Sequence, residues 1–135
     1  MAGILIDTTV LIDAERDSRV LAQLPHDALH TISVITVSEL LHGVHRAASV
    51  GVRVRRQAVV EALLAAIEQL PITPAIARVH AQIWSDLQAV GKIIGAYDLW
   101  IAATALAHGL TLATANIGEF ERVPALDLLL IDSPS

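Results

Sequence analysis

Gly3-Ile4-Leu5-Ile6-Asp7-Thr8-Thr9-Val10-Leu11-Ile12 decides the reading of the fold. Gly3 to Ile6 is a short apolar run without alternation, the pattern of a strand buried on both faces. Asp7-Thr8-Thr9 follows with side chains that cap a helix N-terminus, and the expected helix runs through Val10 to Glu15. A buried strand passing straight into a helix, with an acid at the junction, is how a parallel α/β sheet begins.

The rest of the chain repeats this grammar. A second short helix is expected over Val20 to Leu24 and a strand over Thr31 to Val34. Thr36-Val37-Ser38-Glu39 then opens a helix toward Ala48, with Thr36 and Glu39 at capping-box spacing. A mixed segment from Val50 to Arg56 precedes a helix over Gln57 to Gln69. Leu70-Pro71-Ile72 reads as a strand, and Pro74 suits the first position of a helix extending to Val90. Gly91 and Gly95 bracket a loop, Ala96-Tyr97-Asp98 enters an apolar helix, and Gly109 stops it after His108. Leu110 to Thr114 and Asp127 to Ile131 are the last strands, with a turn or short helix over Asn116 to Glu121. The order predicts one α/β domain over residues 1–135, a mainly parallel sheet covered by helices on both faces.

Composition narrows the chemistry. The chain is 54% hydrophobic but only 3% aromatic, so its core is built from Ala, Val, Ile and Leu. That much aliphatic surface on 135 residues points to a homodimer or a tightly bound protein partner. The absence of cysteine excludes disulfides, thiolate nucleophiles and cysteine-ligated metals. A net charge of −5 argues against binding nucleic acid through a broadly basic surface. It is compatible with acids gathered to hold divalent cations. Met-Ala-Gly-Ile-Leu-Ile-Asp carries no basic leader, and the runs Ala62 to Ile67 and Leu128 to Ile131 are too short to span a bilayer, so no membrane association and a cytoplasmic location are expected.

Ligands of open parallel sheets sit at the carboxyl ends of the strands. Asp7, Glu39, Asp98 and Asn116 each fall at such an end or in the helix that follows, and Glu119 is close enough to Asn116 to reach the same edge. Taken singly, each has an ordinary structural explanation: Asp7 an Asx turn, Glu39 a capping box, Asp98 a helix dipole, Asn116 a turn cap. Taken together they crowd one edge with carboxylates, which repel one another unless a cation is present. An all-oxygen set of this kind suits Mg²⁺ or Mn²⁺.

Four blocks carry a resemblance: Ile4 to Ile12; Ile35 to Val44 around Glu39; Asp98-Leu99-Trp100-Ile101-Ala102-Ala103-Thr104-Ala105; and Leu112-Ala113-Thr114-Ala115-Asn116 with Glu119-Phe120. In order and content they resemble the motifs of VapC-type PIN-domain ribonuclease toxins of type II toxin–antitoxin systems, across nearly the whole chain. The resemblance implies a three-layer α/β/α PIN-like domain and a Mg²⁺- or Mn²⁺-dependent endoribonuclease that hydrolyses RNA to leave a 5′-phosphate. It further implies a cognate VapB-type antitoxin and a homodimer. It assigns Asp7, Glu39 and Asp98 as metal-binding, catalytic acids and Thr8 and Thr114 as accessory hydroxyls. Asn116 stands where the family has a fourth acid, which makes Glu119 a candidate substitute. The same departure motivates the alternative of a PIN-fold RNA- or protein-binding domain with little or no catalysis.

Other features read more plainly. Glu39-x-x-His42 is half of a carboxylate-bridged di-iron signature, but no second such pair exists, so His42 and His45 read as surface or internally satisfied histidines. Arg46, Arg53, Arg55 and Arg56 form a basic stretch that either steers an RNA backbone or is a solvated face. Tyr97 and Trp100 flank Asp98, placed to stack on a base or on a partner's side chain, with core or interface packing the expectation for Trp100. A phosphatase- or receiver-type enzyme would want a late lysine, and the one lysine is Lys92.

Overall fold

The computed structural model describes residues 3–133. The reading of Met1 and Ala2 as lacking a leader lies outside them. β1 (Ile4–Ile6) is buried along its whole length. Ile4 and Ile6 point into one core and Leu5 into another, the two-faced burial that an unbroken apolar run demands. α1 (Thr8–Arg16) and a 3-10 turn (Ser18–Gln23) lead to β2 (His30–Ser33). α2 (Val34–His45), α3 (Val50–Ala66) and β3 (Glu68–Leu70) follow. α4 (Pro74–Ala89) and α5 (Ala96–His108) then precede β4 (Thr111–Thr114), a short 3-10 turn (Phe120–Arg122) and β5 (Leu128–Leu130).

The five strands pair in parallel in the order β3-β2-β1-β4-β5. Ile4, Ile6, Ile32 and Ala113 pack with Val10, Leu40, Val44 and Val60 from α1, α2 and α3. Leu5 and Leu112 pack on the opposite face with Ile76, Ile83, Leu99 and Ile101 from α4 and α5. The result is the expected three-layer α/β/α arrangement. Truncating Leu5, which is wholly buried, would cost roughly 2–5 kcal/mol by the usual cavity penalty. No helix among the described residues is long and apolar enough to cross a membrane.

Local starts and stops differ from expectation in four places. The Val20 to Leu24 helix is the 3-10 turn. α2 begins at Val34 because the Ser33 hydroxyl accepts the Ile35 N–H at 3.0 Å. Thr36 is therefore an interior helical residue, not a cap. α3 starts at Val50 behind the Ser49 cap, so Arg53, Arg55 and Arg56 belong to that helix. β3 ends at Leu70, where expectation had it begin. Pro74 at the head of α4 and Gly109 closing α5 with φ +65° are as expected, the latter because glycine enters the left-handed region without a Cβ clash.

Candidate active site

The chain runs from β1 outward to β2 and β3, then returns to place β4 on the other side of β1. The crevice where the strand order reverses lies at the carboxyl ends of β1 and β4, the usual position for a ligand in such a sheet. Asp7 is the first residue beyond β1. Its N–H still donates to the Ala113 carbonyl at 2.8 Å, and it caps α1 by accepting the Thr8 N–H at 2.9 Å.

Asp7 is buried, and burying a carboxylate requires donors. Its Oδ2 accepts from the hydroxyls of Thr9 at 2.7 Å and Thr114 at 2.8 Å. Thr9 also accepts the Ala115 N–H at 3.1 Å, which ties α1 to the segment after β4. Thr8 donates its hydroxyl to Glu39 Oε1 at 2.8 Å, and its Oγ1 lies 2.9 Å from the Thr36 hydroxyl. Glu39 is thus held by α1, not by a capping box at the head of its own helix. Burial pushes the Glu39 carboxyl up, the Thr8 hydrogen bond opposes this, and the charge of Asp7 reinforces it.

Asp98, in the first turn of α5, faces the same crevice. Its pKa is pushed up to about 7, first by burial, then by the charge of Asp7, by hydrogen bonding to Glu119 and its charge, and by Glu39. Glu119 is itself fixed by the Gly95 N–H, which donates to its Oε2 at 3.1 Å. Asn116 is exposed and spends its side-chain oxygen on the Gly118 N–H at 3.2 Å, an Asx turn. The four carboxyl groups drawn together are therefore Asp7, Glu39, Asp98 and Glu119, contributed by four separate segments. Among the described residues no three acids or histidines converge tightly enough to enclose an ion unaided; Asp7 holds the Thr8 N–H on Oδ1 and two hydroxyls on Oδ2, and one oxygen of Glu39 holds the Thr8 hydroxyl.

Thr9, Thr36 and Gly95 are supporting residues that sequence reasoning did not single out. Thr9 stood in plain view within Asp-Thr-Thr, where two adjacent hydroxyls follow a buried acid. Thr36 reads locally as a cap and Gly95 as a loop boundary, and neither signal points to the site, since their partners there are distant in the chain. His42 and His45 are exposed on α2.

Residues 4–126 match the PIN domain family model. Ribonuclease VapC1 of Rickettsia felis is 34% identical over 131 residues, covering 97% of this chain and 98% of its own. The chain belongs to the VapC group of the PIN-domain family. Among its relatives, the tRNA(fMet)-specific endonuclease VapC of Salmonella typhimurium is 36% identical over 95 residues, 70% of each chain. The DNA-bound VapBC structure from the same species superposes on this VapC-family chain with a TM-score of 0.85 at 30% identity, covering 96% of this chain and 98% of the other. Family membership removes the phosphatase- or receiver-type reading.

Proposed function

We propose that this chain is a divalent-metal-dependent endoribonuclease, the toxin of a toxin–antitoxin pair, which hydrolyses RNA phosphodiester bonds with Asp7, Glu39 and Asp98 as its essential acids. The observation that carries this reading is the gathering of four carboxyl groups at the sheet's switch point, where burial first and then the neighbouring acids push Asp98 up to about 7. A cluster that repels itself when empty of cations is built to receive one. The names of the relatives, a ribonuclease and a tRNA-specific endonuclease, favour RNA as substrate, and the VapBC neighbour favours a VapB-type antitoxin as partner.

The donors fit Mg²⁺ or Mn²⁺: all are hard oxygens, and a loosely spaced carboxylate set suits an ion that keeps much of its own water. Asp7, Glu39 and Asp98 would hold it, with Glu119 as the fourth acid ahead of Asn116. When bound, the ion supplies Lewis-acid polarisation of the phosphodiester. The chain's own contribution is orientation. Thr9 and Thr114 fix one oxygen of Asp7, Thr8 fixes one oxygen of Glu39, and Gly95 fixes Glu119. These groups are preorganised by the fold, so little rearrangement is needed during the reaction. A fourth carboxylate at Glu119 supports catalysis over the binding-only alternative, which rested on Asn116.

Purified protein incubated with an RNA pool should cleave it with Mn²⁺ and not with EDTA. Asp7→Asn, Glu39→Gln and Asp98→Asn should each lower that activity by about 100-fold or more, the scale on which single electrostatic groups act in active sites. Calorimetric titration should show Mn²⁺ binding weakened in all three. RNA bound but left intact by the wild-type chain at saturating Mn²⁺ would favour the non-catalytic alternative.

A further inference from the structure

A groove of about 430 Å³ opens from the acidic crevice, its lining including Thr8, Glu39, Ser38, His42, Arg46 and Tyr97. Thr8 and Glu39 belong to the acidic cluster, so the groove is continuous with it. Glu39, His42 and Arg46 stand at helical spacing along α2, which brings them to one face. Tyr97, in the first turn of α5 and adjacent to Asp98, lines the groove with them.

Tyr97, Arg46 and His42 are uncommitted. Tyr97 is 61% exposed, and among the described residues its ring and hydroxyl have no partner. The side chains of Arg46 and His42 likewise make no hydrogen bond or ion pair among the described residues. Arg56 differs, because it pairs with Glu15 at 3.0 Å and donates to the Gly43 carbonyl at 3.0 Å. Arg53 and Arg55 line no part of this groove. The basic stretch therefore divides: one arginine is structural, two lie elsewhere on α3, and Arg46 alone of the four is both free and beside the acids.

We propose that Tyr97 and Arg46 form a substrate subsite for a single-stranded RNA nucleotide next to the scissile phosphate, Tyr97 stacking on the base and Arg46 pairing with the phosphate. This rests on the ribonuclease reading above. An acidic cluster repels an approaching phosphodiester strand, and a free guanidinium at its margin offsets that repulsion where a neighbouring phosphate must lie. An exposed, unpartnered tyrosine offers a face to any unstacked base, so the subsite favours loops and single strands over duplex. A peptide partner is the weaker match, since the lining here is largely polar. The adjoining groove, about 310 Å³, shares Ile12, Glu39 and Arg46 with this one and adds Glu15, Arg16 and Arg56 to Leu40 and Val60, so it too mixes charged and apolar side chains.

The test uses the full chain with Mn²⁺ and a mixed-sequence oligoribonucleotide, single-stranded or annealed to its complement. Tyr97→Ala should lower kcat/KM on the single strand by about 10-fold, mainly through KM, and Tyr97→Phe should restore it, since stacking needs the ring and not the hydroxyl. Arg46→Ala should lower kcat/KM by about 10-fold and flatten the log–log salt dependence by roughly 0.7, the value of one phosphate contact on a single strand. Arg78→Ala on α4, away from the groove, should leave the slope unchanged. Wild-type kinetics and salt slope in both alanine variants would overturn the subsite. So would normal cleavage combined with lost sensitivity to a VapB-type antitoxin, which would assign the surface to a protein. Fluorescence anisotropy of the same oligonucleotide keeps the two readings separate. Equal Kd for wild type, Tyr97→Ala and Arg46→Ala refutes the subsite, whereas absence of Mn²⁺-dependent cleavage by the wild type refutes the ribonuclease reading.

Discussion

Asp98 titrates near neutrality because burial and three neighbouring acids oppose its ionisation. Its folded-state pKa of about 7 lies above the ordinary value of 3.8. Between those values the folded chain retains a proton that the unfolded chain releases. The resulting penalty is absent in acid, grows as the pH rises through this window, and is complete above about 7. Metal-free protein should therefore lose thermal stability between about pH 4 and about pH 7, opposite to the usual behaviour of paired carboxylates. Asp98→Asn should flatten that slope and gain about 1 kcal/mol at the alkaline end, after allowance for solvent screening at a half-buried group. In a domain of this size that is about 3–4 °C in Tm. Excess Mn²⁺ should invert the order, because an ion binds the ionised carboxylate and stabilises only the chain that presents it. Thermal melts in EDTA and in Mn²⁺ across this range are the check, and an unchanged pH slope in Asp98→Asn would refute the account.

At the level of elements, the turn between β4 and the following 3-10 segment separates two tasks. Asn116 shapes the turn through its bond to the Gly118 N–H, and the turn carries Glu119 to the Gly95 N–H and Asp98. The division predicts that Glu119→Gln weakens Mn²⁺ binding by about 10-fold or more, the usual scale for a group supporting a metal site. Asn116→Ala should barely alter affinity and should instead cost about 1 kcal/mol of stability, the net worth of one hydrogen bond. Calorimetric titration and urea denaturation of the two variants separate the effects. Equal and negligible losses of affinity would mean that three carboxylates suffice.

The whole molecule carries more apolar surface than its two cores use. Trp84 is 54% exposed and Ile93 is 77% exposed beside a cleft of about 460 Å³ between α4 and α5, lined by Leu87, Ile94, Leu99 and Trp100. Trp100 packs as expected, stacked on His80 with ring centroids 3.6 Å apart. Exposed aromatic and aliphatic side chains around a preformed cleft are the makings of an interface, and a second copy of the chain supplies a matching apolar face by symmetry. Sedimentation at micromolar concentration should give twice the 14.4 kDa of the chain, and Ile93→Asp should shift it toward the monomer. A 14.4 kDa species alone would remove the dimer.

Much of this was legible in the linear order of residues because its causes are local. A run such as Ile4-Leu5-Ile6 can satisfy its apolar side chains only inside a sheet, and Pro74 and Gly109 mark helix ends through their own backbone constraints. Asp7, Glu39 and Asp98 stand where strands end and helices begin, and parallel topology brings such positions to one edge. The remaining features depend on partners far along the chain. The register Ile6↔Ala113 aligns Asp7 with Thr114, and only that alignment turns two ordinary side chains into a hydrogen-bonded pair. Thr36 looked like a cap until Ser33 took that role and α1 packed over it. Asn116 and Glu119 were interchangeable candidates until the turn fixed which oxygen meets its own backbone and which meets Asp98. Arg46 and Arg56 are alike as residues, and they differ because Glu15 and the Gly43 carbonyl reach one of them. Side-chain direction and long-range pairing are set when helices dock on a sheet, so no reading of neighbours in the chain contains them.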